Sequence, residues 1–315
     1  MVANTRVNFD IPRSKVAAAF GADIEFDKEL APYSSYATGG KAKYFMAAAT
    51  TRQVEHAVRS ARKLGLPFFL LGGGSNVLIS DSGYDGLIVK MDIKGLNVVD
   101  EVDIECGAGE DLMSLVDFAT EQSLTGLEFA AGIWGSVGGA IYGNAGAFGG
   151  EIGSVLSRAT LVDCDGRIKE VDRDYCRFGY RHSYLKVSRE VVVQARFHLA
   201  RAGREAIEER VEEILTIRKT KHPVDECTAG CFFKNIPDPA EKYGKLPAGR
   251  LLDEAGAKGM SVGGARVFEK HANIIVNDGN ATSKDISDLA DKLKKTVYDK
   301  FGITLQEEVV RVGKF

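Results

Sequence analysis

Two glycine-dense stretches constrain this chain more than any other feature. The first, Leu71-Gly-Gly-Gly-Ser-Asn76, follows the apolar run Pro67 to Leu71, which reads as a buried strand. Glycines 72–74 can take backbone angles closed to other residues and let the main chain approach a partner closely. Ser75 and Asn76 add side-chain donors, and clustered backbone N–H groups form a nest for an anion such as a pyrophosphate. A plain tight turn is the competing reading. The second stretch, AAGIWGSVGGAIYGNAGAFGGEIG over residues 130–153, packs Gly132, Gly135, Gly138, Gly139, Gly143, Gly146, Gly149 and Gly150 into 19 residues. Ile133, Trp134, Val137, Ile141, Tyr142 and Phe148 make it too apolar for a disordered linker. It reads as a long ordered loop that packs and also bares its backbone. Two such loops point to a large phosphate-bearing ligand held between them.

Other nucleotide motifs are absent. Cys106-Gly-Ala-Gly-Glu-Asp-Leu112 begins like a dinucleotide fingerprint, but Leu112 stands where the third glycine is needed, so it reads as an ordinary strand–turn–helix. No phosphate-loop sequence GxxxxGK[ST] occurs. A net charge of -3 gives no support to a nucleic-acid partner. The five cysteines form no CxxC pair, which argues against a thiolate metal site and a secreted disulfide scaffold. His271 has no second ligand at a useful spacing, so we expect no metal. The cysteine usage fits a reducing compartment. Without a signal-peptide core or an apolar run of about 18 residues, a cytoplasmic protein with no membrane partner is expected.

The 315 residues suffice for two or three domains. Residues 1–30 read as an N-terminal arm with a short helix near Val16 to Phe20. Val54, Ala57, Val58, Ala61 and Leu64 mark an amphipathic helix over 51–65. Leu87 to Met91 and Val102 to Cys106 read as strands, with a helix through Leu112, Leu115, Val116 and Ala119. Asp165-Gly166 joins a hairpin, and Val191, Val193, Ala195, Phe197 and Leu199 alternate as in a half-buried strand. Ile207, Val211, Ile214 and Leu215 lie on one face of a helix over 204–218. Ile286, Leu289, Leu293 and Val297 mark a final helix, and Glu307 to Val312 reads as a terminal strand. Helices and strands mix without strict alternation, so the fold class is α+β.

Six segments, LGGGSNVLISD, GLEFAAGIWGSVGGAIYGNAGAFGGEI, FGYRHSYLK, TAGCFFKN, EKHANIIVN and LQEEVVRVG, occur in an order that resembles the UDP-N-acetylenolpyruvoylglucosamine reductase family. The resemblance covers roughly residues 33–313. It implies an FAD-binding fold of the vanillyl-alcohol-oxidase type: two FAD-binding α+β subdomains and a third, substrate-binding α+β domain. The divisions expected are 1–92 with 303–315 returning to it, 93–203, and 204–302. The short run from Gly150 to Tyr180 resembles the short-loop type of the enzyme. The reaction implied takes hydride from NADPH onto non-covalent FAD, then onto C3 of the enolpyruvyl ether of UDP-N-acetylglucosamine, with protonation at C2.

By that resemblance, Gly72, Gly73, Gly74, Ser75, Asn76, Gly138, Gly139, Asn144, Ala145 and Gly146 cradle FAD, and Tyr36 to Gly40 matches an early Thr…Gly-Gly segment. Arg181 and Glu308 match the family's catalytic arginine and glutamate, and strand alternation turns Glu307 away from the site. An addition at C3 leaves enolate-like charge beside a carboxylate, which a cation must stabilise and an acid must quench. Cys231 stands where the family usually has the proton-donating serine. A thiol, with a reference pKa of about 8.5, can donate this proton, and it also invites oxidation. Lys221, Lys234 and Asn235 are the expected contacts of the UDP diphosphate. Trp134 and Arg266 depart from the proline and glutamine common in the family.

Two rival readings stay open from the residues: an oxidase of the same fold, and a non-enzymatic nucleotide-binding protein. No histidine lies in the first glycine loop to attach FAD covalently, and TAGCFFKN and LQEEVV favour the reductase.

Overall fold

The computed structural model describes residues 11–241 and 244–315. The first part of the expected arm, residues 1–10, lies outside the described residues. The rest of it is not an arm. A helix runs Arg13–Phe20, and Glu25–Glu29 is an edge strand paired antiparallel with Lys41–Ala48. The sheet continues through Tyr84–Met91 to Phe68–Leu71, both joined in parallel. A parallel connection needs a crossover, and the helix Thr51–Leu64 supplies it. Its Thr50 cap accepts from Gln53 N at 3.2 Å, and Gly65, with φ +65°, ends it in the left-handed conformation. Only Leu71 of the Phe68–Leu71 strand is fully buried, because this strand forms the sheet's edge.

Five antiparallel strands form a second sheet in the order Ile168–Asp172, Leu156–Val162, Val191–His198, Asp103–Gly107, Leu96–Asp100. Val191–His198 is central, so Val192 is buried along with Val191 and Val193, and the expected alternation appears only further along. At the end of Asp103–Gly107, Asp111 caps the helix Leu112–Glu121, with its carboxylate accepting from Met113 N and Ser114 N. A carboxylate already fills that helix terminus, which suits the strand–turn–helix reading over a pyrophosphate site.

The stretch 130–153 is not one loop. It holds a helix, Val137–Gly143, capped by Ser136 Oγ accepting from Gly139 N at 3.3 Å and ended by Asn144 at φ 48°. A shorter helix follows at Ile152–Val155. The glycine density hid the helix because glycine is a poor helix former; buried Val137, Ala140 and Ile141 hold it through tertiary packing.

The helix expected over 204–218 runs Arg204–Lys221. It leads to a third sheet, ordered Cys227–Cys231, Ile274–Asn277, Ala265–Val267, Ser261–Val262, backed by the helix Ser283–Phe301. Ile286, Leu289, Leu293 and Val297 bury together against Phe232, Phe233, Leu251 and Ile275. The terminal strand is shorter than expected. Val310–Val312 pairs in parallel with Val77–Ile79, while Glu307 makes only a single bridge to Phe233. The chain's end thus runs from the third sheet back to the strand that follows the first glycine loop.

Candidate active site

The two glycine stretches meet each other directly. A Cβ on Gly73 would lie 2.7 Å from Gly135 Cα, and one on Gly72 would lie 2.5 Å from Ser136 Oγ. Gly73 N donates to Ser136 Oγ at 3.3 Å, and Ser75 Oγ donates to the Trp134 carbonyl at 2.8 Å. Gly74 is required by Tyr33, whose carbonyl a Cβ would overlap. The close approach that demands glycine at 72–74 is therefore protein against protein. Gly138 packs on Ala108, and Gly146 packs on Gly150 and Glu151. Gly139 and Gly143 have open space apart from Ser136 Oγ, 3.3 Å from a Cβ at Gly139. Asn144 is buried; its amide donates to Gly179 O at 3.0 Å and accepts from Gly153 N at 2.9 Å, so that side chain ties the turn together. Ala145 is held by its N–H to the Ala140 carbonyl at 2.8 Å.

Arg181 sits at φ 51° in a tight turn closed by Gly179 and His182, a conformation uncommon for a residue with a Cβ. Lys186 Nζ donates to the Arg181 carbonyl at 2.8 Å and helps hold that turn. The guanidinium donates from Nη1 to Gly146 O at 2.9 Å, and its Nε lies 2.7 Å from Glu308 Oε1. The buried Nε–H does not point along that contact, so the pair is held by charge more than by a linear hydrogen bond. Glu307 turns the other way, to Lys294 at 2.8 Å and to both ends of the Arg311 guanidinium. Burial opposes ionisation of Glu307, yet Arg311 and Lys294 hold its pKa below the usual range. Burial pushes the Glu308 carboxyl upward, although Arg181, Lys186 and Lys234 pull it down.

Cys231 ends the strand Cys227–Cys231 and packs on Phe268, Ile274 and Val276. Its neighbour Phe232 offers a carbonyl to Glu308 N at 2.8 Å, which brings thiol and carboxyl onto adjoining segments. Burial, then the Glu308 charge, pushes the thiol pKa up to about 12, against Arg181 and Arg218. Oxidation needs thiolate, so this surrounding works against the oxidation expected of Cys231 from the sequence.

The expected diphosphate contacts have different surroundings. Lys234 shares the field of Glu308 with Lys186. Asn235 Oδ1 accepts from Ala248 N at 3.1 Å and its N–H donates to Tyr180 Oη at 3.1 Å, so its carbonyl oxygen is engaged in the fold. Lys221 is exposed at its helix end, and its charge falls on His222 and His271. His271 stacks on His222 with centroids 5.6 Å apart and accepts from Asn273 N. Arg266 pairs with Glu226 and Glu269 across the third sheet's surface. Trp134 is 51% exposed beside the first glycine loop.

Sequence reasoning missed Lys186 and Arg218. Lys186 lay in FGYRHSYLK without a role. Arg218 continues the apolar face Ile207, Val211, Ile214, Leu215 of its helix, and an arginine on that face was the readable signal. Among the described residues, no group of three His, Cys, Asp or Glu side chains is placed to hold a metal ion.

Thr38 Oγ1 and Arg181 Nε, in segments named for ligand contact, are buried without a protein hydrogen bond, as are Ser35 Oγ and Arg218 Nε outside those segments. Buried polar groups are rarely left unpaired, and a large polar ligand fits that pattern. Ser35 N donates to the Gly74 carbonyl, which sets this segment against the first glycine loop.

A family model described as "FAD binding domain" matches residues 42–172, and "UDP-N-acetylenolpyruvoylglucosamine reductase, C-terminal domain" matches residues 222–312. UDP-N-acetylenolpyruvoylglucosamine reductase 2 of Bacillus cereus is 36% identical, over 92% of this chain and 93% of its own length. The chain belongs to the UDP-N-acetylenolpyruvoylglucosamine reductase family. The reductase of Streptococcus pneumoniae is likewise 36% identical, over 93% of this chain and 95% of its own length. The crystal structure of the reductase from Thermus caldophilus superposes with a TM-score of 0.77 at 30% identity, covering 92% of this chain and 98% of that one. The α+β, vanillyl-alcohol-oxidase-type FAD-binding fold expected from the sequence is the fold of this chain, and the FAD-binding domain spans both glycine stretches.

Proposed function

We propose that this chain is an NADPH-dependent flavoenzyme that reduces the enolpyruvyl ether of UDP-N-acetylglucosamine to UDP-N-acetylmuramate, a peptidoglycan precursor, in the cytoplasm. The single observation that carries the reading is the Arg181–Glu308 ion pair, 2.7 Å long and half-buried, with the Cys231 thiol in the field of both. Family membership and the FAD-binding domain supply the context. Non-covalent FAD is the cofactor of this reading, and it supplies the hydride when bound.

Each residue has a separate task. Arg181 supplies a guanidinium fork to the substrate carboxylate and to the charge that grows beside it. Glu308, with its raised pKa, takes up a proton more readily than an ordinary glutamate and polarises that carboxylate. Cys231 Sγ holds the proton delivered to C2. Lys234 is assigned to the diphosphate, with Lys221 and Asn235 flanking it. Gly138, Gly139, Asn144, Ala145 and Gly146, in the capped helix and its exit, are assigned to FAD together with Gly72 to Asn76. The divisions 1–92 with 303–315, 93–203 and 204–302 are the proposed domains, each containing one of the sheets described above. No helix among the described residues is long and apolar enough to cross a membrane.

The purified protein should be yellow, bleach with NADPH under anaerobic conditions, and regain its colour when the UDP-enolpyruvyl sugar is added. A colourless protein with no affinity for FAD, or reduced flavin that the sugar does not reoxidise, ends this reading. Colour restored only by oxygen would favour an oxidase.

A further inference from the structure

Arg218 lies in the last turns of the helix Arg204–Lys221, on its inward face. Its stem packs against Gly132, where a Cβ would meet Cδ at 2.7 Å, and its guanidinium carbon lies 5.3 Å from the centroid of the Phe148 ring. Both contacts are in the second glycine stretch. Arg218 nonetheless shares an electrostatic field with Cys231 and Arg181. It therefore stands where the FAD-binding domain meets the reaction centre.

Its Nε is fully shielded and has no hydrogen-bond partner, and no carboxylate among the described residues comes within ion-pair reach of the guanidinium. Arg181, by contrast, is committed to Glu308 and Gly146. Around Cys231 and Glu308, the cations Arg181, Lys186 and Lys234 act on the one carboxylate Glu308, while Arg218 acts on Cys231. Shielded cations without counter-charge are unfavourable, so the centre is short of negative charge. The guanidinium is planar, carries five donors, and lies between an aromatic ring and a glycine. That geometry suits a flat, delocalised oxygen acceptor.

We propose that Arg218 is a second anion-binding guanidinium of the reaction centre, taking a planar oxygen acceptor: the carboxylate of the substrate or the pyrimidine carbonyl edge of the flavin. The inference rests on the reductase reading above and adds a ligand contact to it.

The test uses holoenzyme carrying Arg218→Gln or Arg218→Lys. It measures FAD affinity, the flavin midpoint potential, and Kd for UDP-N-acetylmuramate and for carboxylate-free UDP-N-acetylglucosamine from the flavin absorbance. Hydrogen bonds to charged groups correspond to losses of about 10- to 100-fold. If the acceptor is the carboxylate, Arg218→Gln weakens UDP-N-acetylmuramate by that factor, leaves UDP-N-acetylglucosamine alone, and Arg218→Lys recovers part of the loss. If the acceptor is the flavin edge, the midpoint potential falls and FAD binds more weakly, while the two nucleotides keep their ratio. In either case the apo-protein's Tm holds or rises in Arg218→Gln, because an uncompensated charge has been removed. A drop in apo Tm with an unchanged ratio and potential would make Arg218 a structural residue and overturn the proposal, as would no change in any readout. A parent protein that binds neither FAD nor either nucleotide sinks the reductase reading and this inference with it. A parent that binds all of them beside an indifferent Arg218→Gln sinks the inference alone.

Discussion

Arg181 Nε lies 2.7 Å from Glu308 Oε1, joining a turn beside the second sheet to the segment that leads into the chain's last strand. Neither residue is near the other in sequence, and each is held by its own support. Lys186 and the Gly146 carbonyl fix the arginine, while Lys294 and Arg311 clamp Glu307 so that Glu308 faces inward. Arg181→Ala should leave flavin reduction by NADPH almost intact and slow reoxidation by the enolpyruvyl substrate by about 10²–10³-fold, the cost of losing one preorganised donor. Rapid-mixing absorbance at the flavin band separates the two half-reactions. An equal fall in both would make Arg181 a residue of nicotinamide binding or of the fold.

The structure alters what glycine substitutions should do. Gly73 is filled by Gly135 and Ser136, so Gly73→Val should lower Tm as well as FAD content. Gly139 has space, so Gly139→Ala should keep Tm within a few degrees and lower FAD affinity through closeness to the ligand alone. Trp134, the chain's one tryptophan, provides the readout, because it sits beside Ser75 in the first loop. Its emission should fall as FAD is titrated in, and more FAD should be needed for Gly139→Ala. Emission indifferent to FAD would move the cofactor away from both loops.

Much of this was legible in the sequence, for identifiable reasons. Helices with a buried stripe, such as Thr51–Leu64 and Ser283–Phe301, announce themselves through periodicity. The helix Val137–Gly143 did not, because glycines suppress the signal and tertiary packing supplies the stability. Arg181, Cys231 and Glu308 were found through resemblance, and no spacing rule would have joined three residues carried on separate segments. The environment of the thiol was invisible as well. A reference pKa describes an isolated cysteine, whereas burial and the Glu308 charge exist only in the fold.

His222 carries a pH dependence that the sequence did not suggest. Burial, then His271 and the nearby cations, hold its pKa down at about 4. The unfolded chain binds this proton near pH 6.5 and the folded chain does not, so between about pH 6.5 and 4 the unfolded state holds more protons. The stabilisation is therefore complete above pH 6.5 and declines as pH falls towards 4. Thermal unfolding across that window should show a decline in Tm that His222→Gln flattens, with pH 7.5 as the reference for each variant. A parent and variant with parallel profiles would mean that His222 protonates freely in the fold.

Cys231 gives the sharpest test, since it departs from the family's serine and its environment opposes the simple chemical expectation. Cys231→Ser should retain substantial turnover, because a hydroxyl replaces a thiol that was protonated anyway. Cys231→Ala should be reduced by NADPH normally and reoxidised by substrate about 10²–10⁴-fold more slowly, the usual worth of a general acid. Near-parent turnover in the alanine variant would make Cys231 a packing residue and pass the proton to water or another group. Alkylation checks the thiol's state separately. With its pKa at about 12, roughly one molecule in 10⁴ carries thiolate at pH 8, so iodoacetamide should label Cys231 slowly, about tenfold faster per pH unit as pH rises. Cys164 is exposed and Cys227 is partly so, so the modified residue must be located by peptide fragmentation or the experiment run with Cys164→Ser and Cys227→Ser combined. Rapid labelling of Cys231 at pH 7 would mean that Arg181 and Arg218 outweigh burial at the sulfur. The residue would then be a nucleophile exposed to peroxide in substrate-free turnover, and the serine variant would outlast the parent under aerobic conditions.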